Sequence, residues 1–238
     1  ELLPLLVEEG VGYATEGYKA MKIKVGKNPD FDEKFIVALR EALPNTQLMA
    51  DSNHGFDLPE AIRIGKVLDA NGFKWFEEPL SPEHPQLFKQ LHAKLNLAIA
   101  TGECEQTRWG YQKLIASGGV QLLQADLAYC GGPSEALKIR ALASANGLNI
   151  IPHVWGTQLN LAAATHFLAT GYNEPGRAEE QDLLLEYDRT ENPLRDELYD
   201  VMVEVDGGGA VVPKTPGLGV KINKEMLKKF DVNGTETK

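Results

Sequence analysis

Lys19–Gly26 reads Lys-Ala-Met-Lys-Ile-Lys-Val-Gly, and its alternation decides the fold. Side chains alternate along a strand, so Lys22 and Lys24 share one face while Met21, Ile23 and Val25 share the other. Apolar and β-branched residues on one face, followed by a glycine turn, predict a short strand packed on a helix. The two ammonium groups then face the opposite side, into a barrel or cleft. Two like charges in a partly dry place predict a lowered pKa for at least one of them, which makes it a base near neutral pH. The alternative is a solvated edge strand with two surface lysines.

Working outward, strand and helix patterns alternate roughly every 25 residues, as in βα units. Leu2–Glu16 reads as a helix. Strands are predicted over Lys22–Val25, Gln47–Asp51, Phe73–Glu77, Leu97–Thr101, Val120–Asp126, Asn149–His153 and Asp182–Glu186. Helices are predicted over Phe31–Leu43, Leu58–Ala70, Pro85–Leu95, Thr107–Ser117, Pro133–Asn146 and Thr157–Ala169, the second opened by Asp57. Strands joined by crossover helices run parallel. The fold class is therefore α/β, a TIM-type (β/α) barrel. Seven strands are one short of closure, so residues 1–190 read as strands two to eight, with the first strand and whatever precedes it expected upstream. An open doubly wound sheet would want a glycine-rich phosphate loop after its first strand, and none is present. Beyond Tyr187 the alternation stops. Val201–Val205 and Ala210–Val212 read as a hairpin within a C-terminal tail, residues 191–238, that ends in a frayed Gly234–Lys238.

Composition limits the function classes. The 238 residues are 43% hydrophobic and 24% charged, enough for one large core. A net charge of −10 without a basic run argues against nucleic acid as a partner. No apolar run spans a membrane. Cys104 and Cys130 lack any paired spacing, so no disulfide framework is expected. With no signal-like segment, a cytoplasmic protein is expected. An acidic barrel of this size is expected to form a homo-oligomer.

The ends of the predicted strands and the turns directly after them carry Lys24, Asp51, Glu77, Glu103, Asp126, His153 and Glu186. In a parallel barrel these ends share the face on which active sites are built. Asp51, Glu77 and Glu103 come from three successive strands. Such carboxylates repel, so either their pKa values rise or a cation neutralises them. An all-oxygen set favours Mg²⁺ over zinc or copper. Asn53, two residues beyond Asp51, is placed to bind a ligand or orient Asp51. Glu78 is expected to point away from Glu77 into a capping or salt-bridging role. Asp126 beside His153 makes a general acid/base pair, although His153 alone would read as a strand cap. His54 is a second candidate acid. Trp155 is a pocket wall or a loop anchor, Cys104 a packing residue, and His84, His92 and His166 surface or packing residues.

KIKVG, ADSN, FEEP, ATGE, QAD, PHVWG and LLEY, in this order on consecutive strands, resemble the enolase superfamily, mandelate racemase subgroup. The resemblance runs from Ala20 to Tyr187. It implies that Asp51, Glu77 and Glu103 bind Mg²⁺. It also implies that Lys24 is one acid/base catalyst with Lys22 lowering its pKa, and that His153 with Asp126 is the other. Glu186 would hydrogen-bond the carboxylate of a small-molecule substrate, with Asn53, His54 and Trp155 around it. The muconate cycloisomerase branch fits less well, since it carries a lysine where this chain has Asp126. The activity expected is proton abstraction beside a carboxylate, with dehydration of an aldonate or aldarate to a 2-keto-3-deoxy acid. The alternatives are racemisation or epimerisation at the same two-base site, and a non-catalytic barrel scaffold.

Overall fold

The computed structural model describes residues 2–171, 183–206 and 208–231. Helix α1 (Leu2–Thr15) precedes an alternating series of strands and helices. The series is β1 (Ala20–Lys24), α2 (Pro29–Ala42), β2 (Gln47–Asp51), α3 (Leu58–Ala70), β3 (Trp75–Glu77), α4 (Pro85–His92) and β4 (Ala98–Thr101), followed by α5 (Thr107–Ser117), β5 (Leu122–Leu123), α6 (Pro133–Ala145), β6 (Asn149–Ile150) and α7 (Gln158–Ala169). The six strands form one parallel sheet in chain order. This is the (β/α) barrel fold expected from the strand–helix alternation.

Local chemistry sets the helix starts. Asn28 caps α2 by accepting from the N–H groups of Asp30 and Phe31, with Pro29 in the first turn. Asp57 and Glu60 form a reciprocal capping box on α3. Thr157 accepts from Leu159 N–H at the start of α7. Gly118, at φ 75°, ends α5 in the left-handed region that glycine tolerates best.

Period-2 alternation divides the strand residues between two apolar layers. One set packs outward on the helices: Ile23, Leu48, Ala50, Phe76, Ile99 and Leu123 meet Ile36, Leu39, Ile64, Leu68, Phe88 and Ile139. The other set fills the barrel interior: Met49, Trp75, Ala100, Leu122 and Ile151, with Ala20, Ala98 and Leu184. Two residues further along β1, β2 and β3, on the inward face, stand Lys22, Asp51 and Glu77. The apolar interior is thus a floor beneath an ionisable layer. Burying each large side chain of that floor contributes roughly 1.5–3 kcal/mol, which offsets part of the cost of gathering charges above it.

The expected seventh strand is not part of the ladder. Asp182 lies outside the described residues, and Leu183–Glu186 form no regular strand. Side chains tie this segment instead. Leu184 enters the interior floor. Glu186 spans the gap between the sheet edges, with one oxygen 2.5 Å from Lys22 Nζ on β1 and the other accepting from Val154 N–H, just past β6, at 2.8 Å.

After α8 (Pro193–Asp196), strand β7 (Tyr199–Val201) pairs antiparallel with β8 (Lys221–Ile222), and α9 (Lys224–Lys229) follows. The sequence does not suggest this pairing. The expected hairpin survives as a single Val205–Ala210 bridge; Gly207 and the Gly234–Lys238 end lie outside the described residues. Val203 packs with Val154, Leu161, Ala162 and Ala164, so the tail rests on α7. Among the described residues no helix is long and apolar enough to cross a membrane.

Candidate active site

The ends of β2, β3 and β4 bring one carboxylate oxygen from each of Asp51, Glu77 and Glu103 within 4.8 Å of one another. Asp51 and Glu77 are fully buried. Each is fixed from below or beside. Trp75 Nε1–H donates to Glu77 Oε2 at 3.0 Å, and Asn53 N–H donates to Asp51 Oδ1 at 2.9 Å. Glu103 follows Gly102, whose φ of 132° turns the chain inward after β4. Its Oε2 is buried without an aligned hydrogen-bond donor.

Charge balances this cluster only in part. Burial pushes Glu77 up to about 7; the Lys22 ammonium opposes that push, and the Asp51 and Glu186 carboxylates add to it. Burial would also raise Asp51, but Lys22 and Lys24 hold it below its ordinary value. Three all-oxygen donors, two of them fully buried, fit a hard divalent cation.

The expected lysine pair is placed as the alternation requires, but the electrostatics differ. Lys22 has a 13% exposed side chain and contacts Glu77 and Glu186, with Asp51 at 3.6 Å. Burial alone would lower its pKa, yet the charges of Glu77, Glu186 and Asp51 together raise it. The lowered pKa expected from two neighbouring ammonium groups is therefore not found at Lys22, because the carboxylates facing it outweigh one cation. Lys24 lies at the mouth with a 65% exposed side chain, 2.5 Å from Asp51 Oδ2 and 2.7 Å from Asn53 Oδ1.

His153 stands on the other flank. Its Nδ1 is 2.7 Å from Asp126 Oδ2 and its Nε2 is 3.2 Å from Glu103 Oε2. Burial would lower the imidazole pKa. The Asp126 hydrogen bond overrides it, Glu186 and Glu103 add to the effect, and His153 is pushed up to about 9. Asn160, on the first turn of α7, reaches both Asp126 oxygens at 3.1 Å, and Ala128 N–H donates to Asp126 Oδ1 at 2.7 Å. These contacts fix the carboxylate that orients the histidine. No sequence signal marks Asn160, whose partner Asp126 belongs to the preceding βα unit.

Lys22, Lys24, Asp51, Glu77, Glu103, Asp126, His153 and Glu186 thus converge on one end of the barrel, with Asn53 among them. Trp155 follows this group but is 66% exposed, so it sits at a rim and not in the charged centre. His54 turns towards Glu78, its Nε2 3.0 Å from Glu78 Oε2. Glu78 does not point away from the site. With φ 41° it leaves the strand geometry directly after Glu77, and its carboxyl lies buried beside the acids. Burial, then the charges of Glu103, Asp51 and Glu77, push it up to about 8.

Comparison with known proteins agrees with the fold. The profile of the enolase C-terminal domain-like family matches residues 6–226. D-galactarolactone cycloisomerase of Agrobacterium fabrum is 40% identical over 216 residues, 90% of this chain and 57% of the relative. Arabinonate dehydratase of Saccharolobus solfataricus is 30% identical over 230 residues, covering 96% of this chain and 59% of the relative. The crystal structure of 3,6-anhydro-D-galactonate cycloisomerase from Zobellia galactanivorans superposes with a TM-score of 0.87 at 38% identity, over 97% of this chain and 63% of that one. The chain spans about three fifths of the length of these relatives.

Proposed function

The chain belongs to the enolase C-terminal domain-like family, and from that premise we propose that it carries the active site of a Mg²⁺-dependent enzyme acting on an acid sugar. The reaction removes the proton beside the substrate carboxylate and expels the oxygen on the next carbon. The supporting observation is the Asp51, Glu77 and Glu103 cluster flanked by Lys24 on one side and His153 on the other.

Asp51, Glu77 and Glu103 would hold the Mg²⁺. Bound there, Mg²⁺ supplies positive charge to the substrate carboxylate and stabilises the negative charge that grows as the C–H bond breaks. Lys22 and Val154 N–H hold Glu186 in place, and Glu186 would meet the substrate carboxylate. Lys24 and His153 are the two groups placed to take or return a proton. Asp126, braced by Asn160, keeps His153 protonated on Nδ1, so Nε2 is the nitrogen that serves the substrate.

With a free hydroxyl on the next carbon, protonated His153 delivers its proton to that oxygen, water leaves, and the product is a 2-keto-3-deoxy acid. A second reading follows from the 40% identical cycloisomerase: the leaving oxygen belongs to a ring, stays tethered, and the product is an isomer. The test incubates the full-length protein and Mg²⁺ with aldonates, aldarates and their lactones in deuterated water. A keto acid that has lost one water and carries solvent deuterium at the carbon that lost its oxygen supports dehydration. A ring-opened product that has lost no water, heavier only by the deuterium taken up at that carbon, supports cycloisomerisation. Deuterium beside the carboxylate with every C–O bond intact points to racemisation or epimerisation and overturns the elimination. No exchange on any substrate overturns the catalytic reading and leaves a scaffold.

A further inference from the structure

A second group of donors lies beside the acid triad: His54, Glu78 and Cys104, with one donor atom from each within 4.8 Å of the others. Glu78 is 1% exposed, and neither carboxylate oxygen has an aligned hydrogen-bond donor. A buried carboxylate without donors costs several kcal/mol unless a cation or proton meets it. Its oxygen faces His54 Nε2 at 3.0 Å, and the same nitrogen is 3.7 Å from Cys104 Sγ. The other ring nitrogen, Nδ1, is 3.3 Å from the Leu80 carbonyl. A backbone carbonyl there fixes the proton on Nδ1 and turns the Nε2 lone pair towards Glu78 and Cys104, the arrangement typical of a metal-ligating imidazole.

The backbone holds these elements together. His54 N–H donates to the Glu78 carbonyl at 2.8 Å, and Ser52 Oγ donates to the same carbonyl at 2.9 Å. Around a tetrahedral zinc ion with ordinary bond lengths, neighbouring N and O donors lie about 3.4 Å apart and N and S donors about 3.6 Å apart. The observed 3.0 and 3.7 Å fall close to those edges. Cys104 is exposed, which leaves a path for the ion and room for a solvent ligand.

We propose that His54, Glu78 and Cys104 form a site for a borderline-soft divalent cation, Zn²⁺ by preference, separate from the hard-cation triad. Nitrogen, oxygen and sulfur, one of each, match zinc and exclude Mg²⁺, which takes oxygen. Occupancy places a second positive charge against Glu78 without using any oxygen of Asp51, Glu77 or Glu103.

The test uses the full-length protein with saturating Mg²⁺, titrated with Co²⁺ as the spectroscopic probe for zinc. The expected result is one equivalent of Co²⁺ with a thiolate-to-cobalt charge-transfer band, displaced by Zn²⁺. Cys104→Ser removes the band, and Cys130→Ser leaves it. His54→Ala and Glu78→Gln each weaken Zn²⁺ binding by more than about tenfold. Cys104 is exposed, so its variant carries little folding risk. A band that persists in Cys104→Ser, or zinc affinity unchanged within about twofold in both other variants, overturns the site. The readout is metal binding and not turnover, so failure of the proposed reaction leaves this test standing.

Discussion

Replacing Asp126 with Asn tests the histidine flank of the site quantitatively. His153 is pushed to about 9 from an ordinary 6.5, which at about 1.4 kcal/mol per unit corresponds to about 3 kcal/mol of linkage. A histidine whose folded pKa is raised contributes stability that is complete below about pH 6.5 and is lost as pH rises through about 9. Of the groups that raise it, the Asp126 hydrogen bond at 2.7 Å is the largest, ahead of Glu186 and Glu103. A charge-assisted hydrogen bond is worth about 1.5–3 kcal/mol, or about one to two pH units. The imidazole of Asp126→Asn is therefore expected to titrate near pH 7–8, roughly one to two units below wild type. Ring-proton NMR titration without added divalent metal reads this directly. Denaturant melts give the linked quantity. The stability that wild type loses between about pH 6.5 and 9.5 should shrink in the variant by about 1.5–3 kcal/mol. Glu77 and Glu78, also raised, lose stability in the same direction, and the wild-type-minus-variant difference removes their share. An imidazole pKa that stays within about half a unit of wild type refutes the argument that Asp126 sets the protonation of His153.

Three further predictions are simpler. Glu103→Gln should weaken Mg²⁺ binding by more than about tenfold by calorimetry, because it removes one of three charged ligands; unchanged affinity counts against the triad. Lys24→Ala and His153→Ala should each abolish one stereochemical direction of proton exchange and leave Mg²⁺ affinity intact, and exchange persisting in both would remove them as the acid/base pair. Gly119→Ala should destabilise by about 1–3 kcal/mol or more in thermal melts, since a Cβ there would meet the Phe88 carbonyl carbon and the Lys89 nitrogen at 2.2 Å; an unchanged melting temperature would show that the α4–α5 contact can relax.

The strand ends were legible because period-2 alternation fixes which residues share a face. Ala20 and Lys22, Met49 and Asp51, and Trp75 and Glu77 each repeat at a spacing of two, so an apolar floor under a charged layer follows from sequence alone. The helices were legible from their periodicity and starts, and α3, opened by Asp57, and α5 have the predicted bounds. What escaped depends on backbone angles and on neighbours far along the chain. Alternation ends where φ turns positive, so Glu78, at 41°, could not be aimed from its position after Glu77. At Lys22 the sequence supplied the neighbouring lysine but not Glu77 and Glu186, whose charges raise its pKa. Leu183–Glu186 looks like a strand by composition, yet Glu186 is anchored through its carboxylate and not through a ladder. Asn160 and the meeting of His54 with Cys104 arise from contacts 34 and 50 residues apart.

The central claim is that a single divalent cation sits among Asp51, Glu77 and Glu103 with His153 against it. Paramagnetic Mn²⁺ in place of Mg²⁺ tests this most directly, read by relaxation of the histidine ring protons. The account predicts an ion bound among the three carboxylates that broadens His153 far more than His84, His92 or His166, with the effect lost in Glu103→Gln. Broadening that spares His153, or that survives removal of the Glu103 carboxylate, would contradict it.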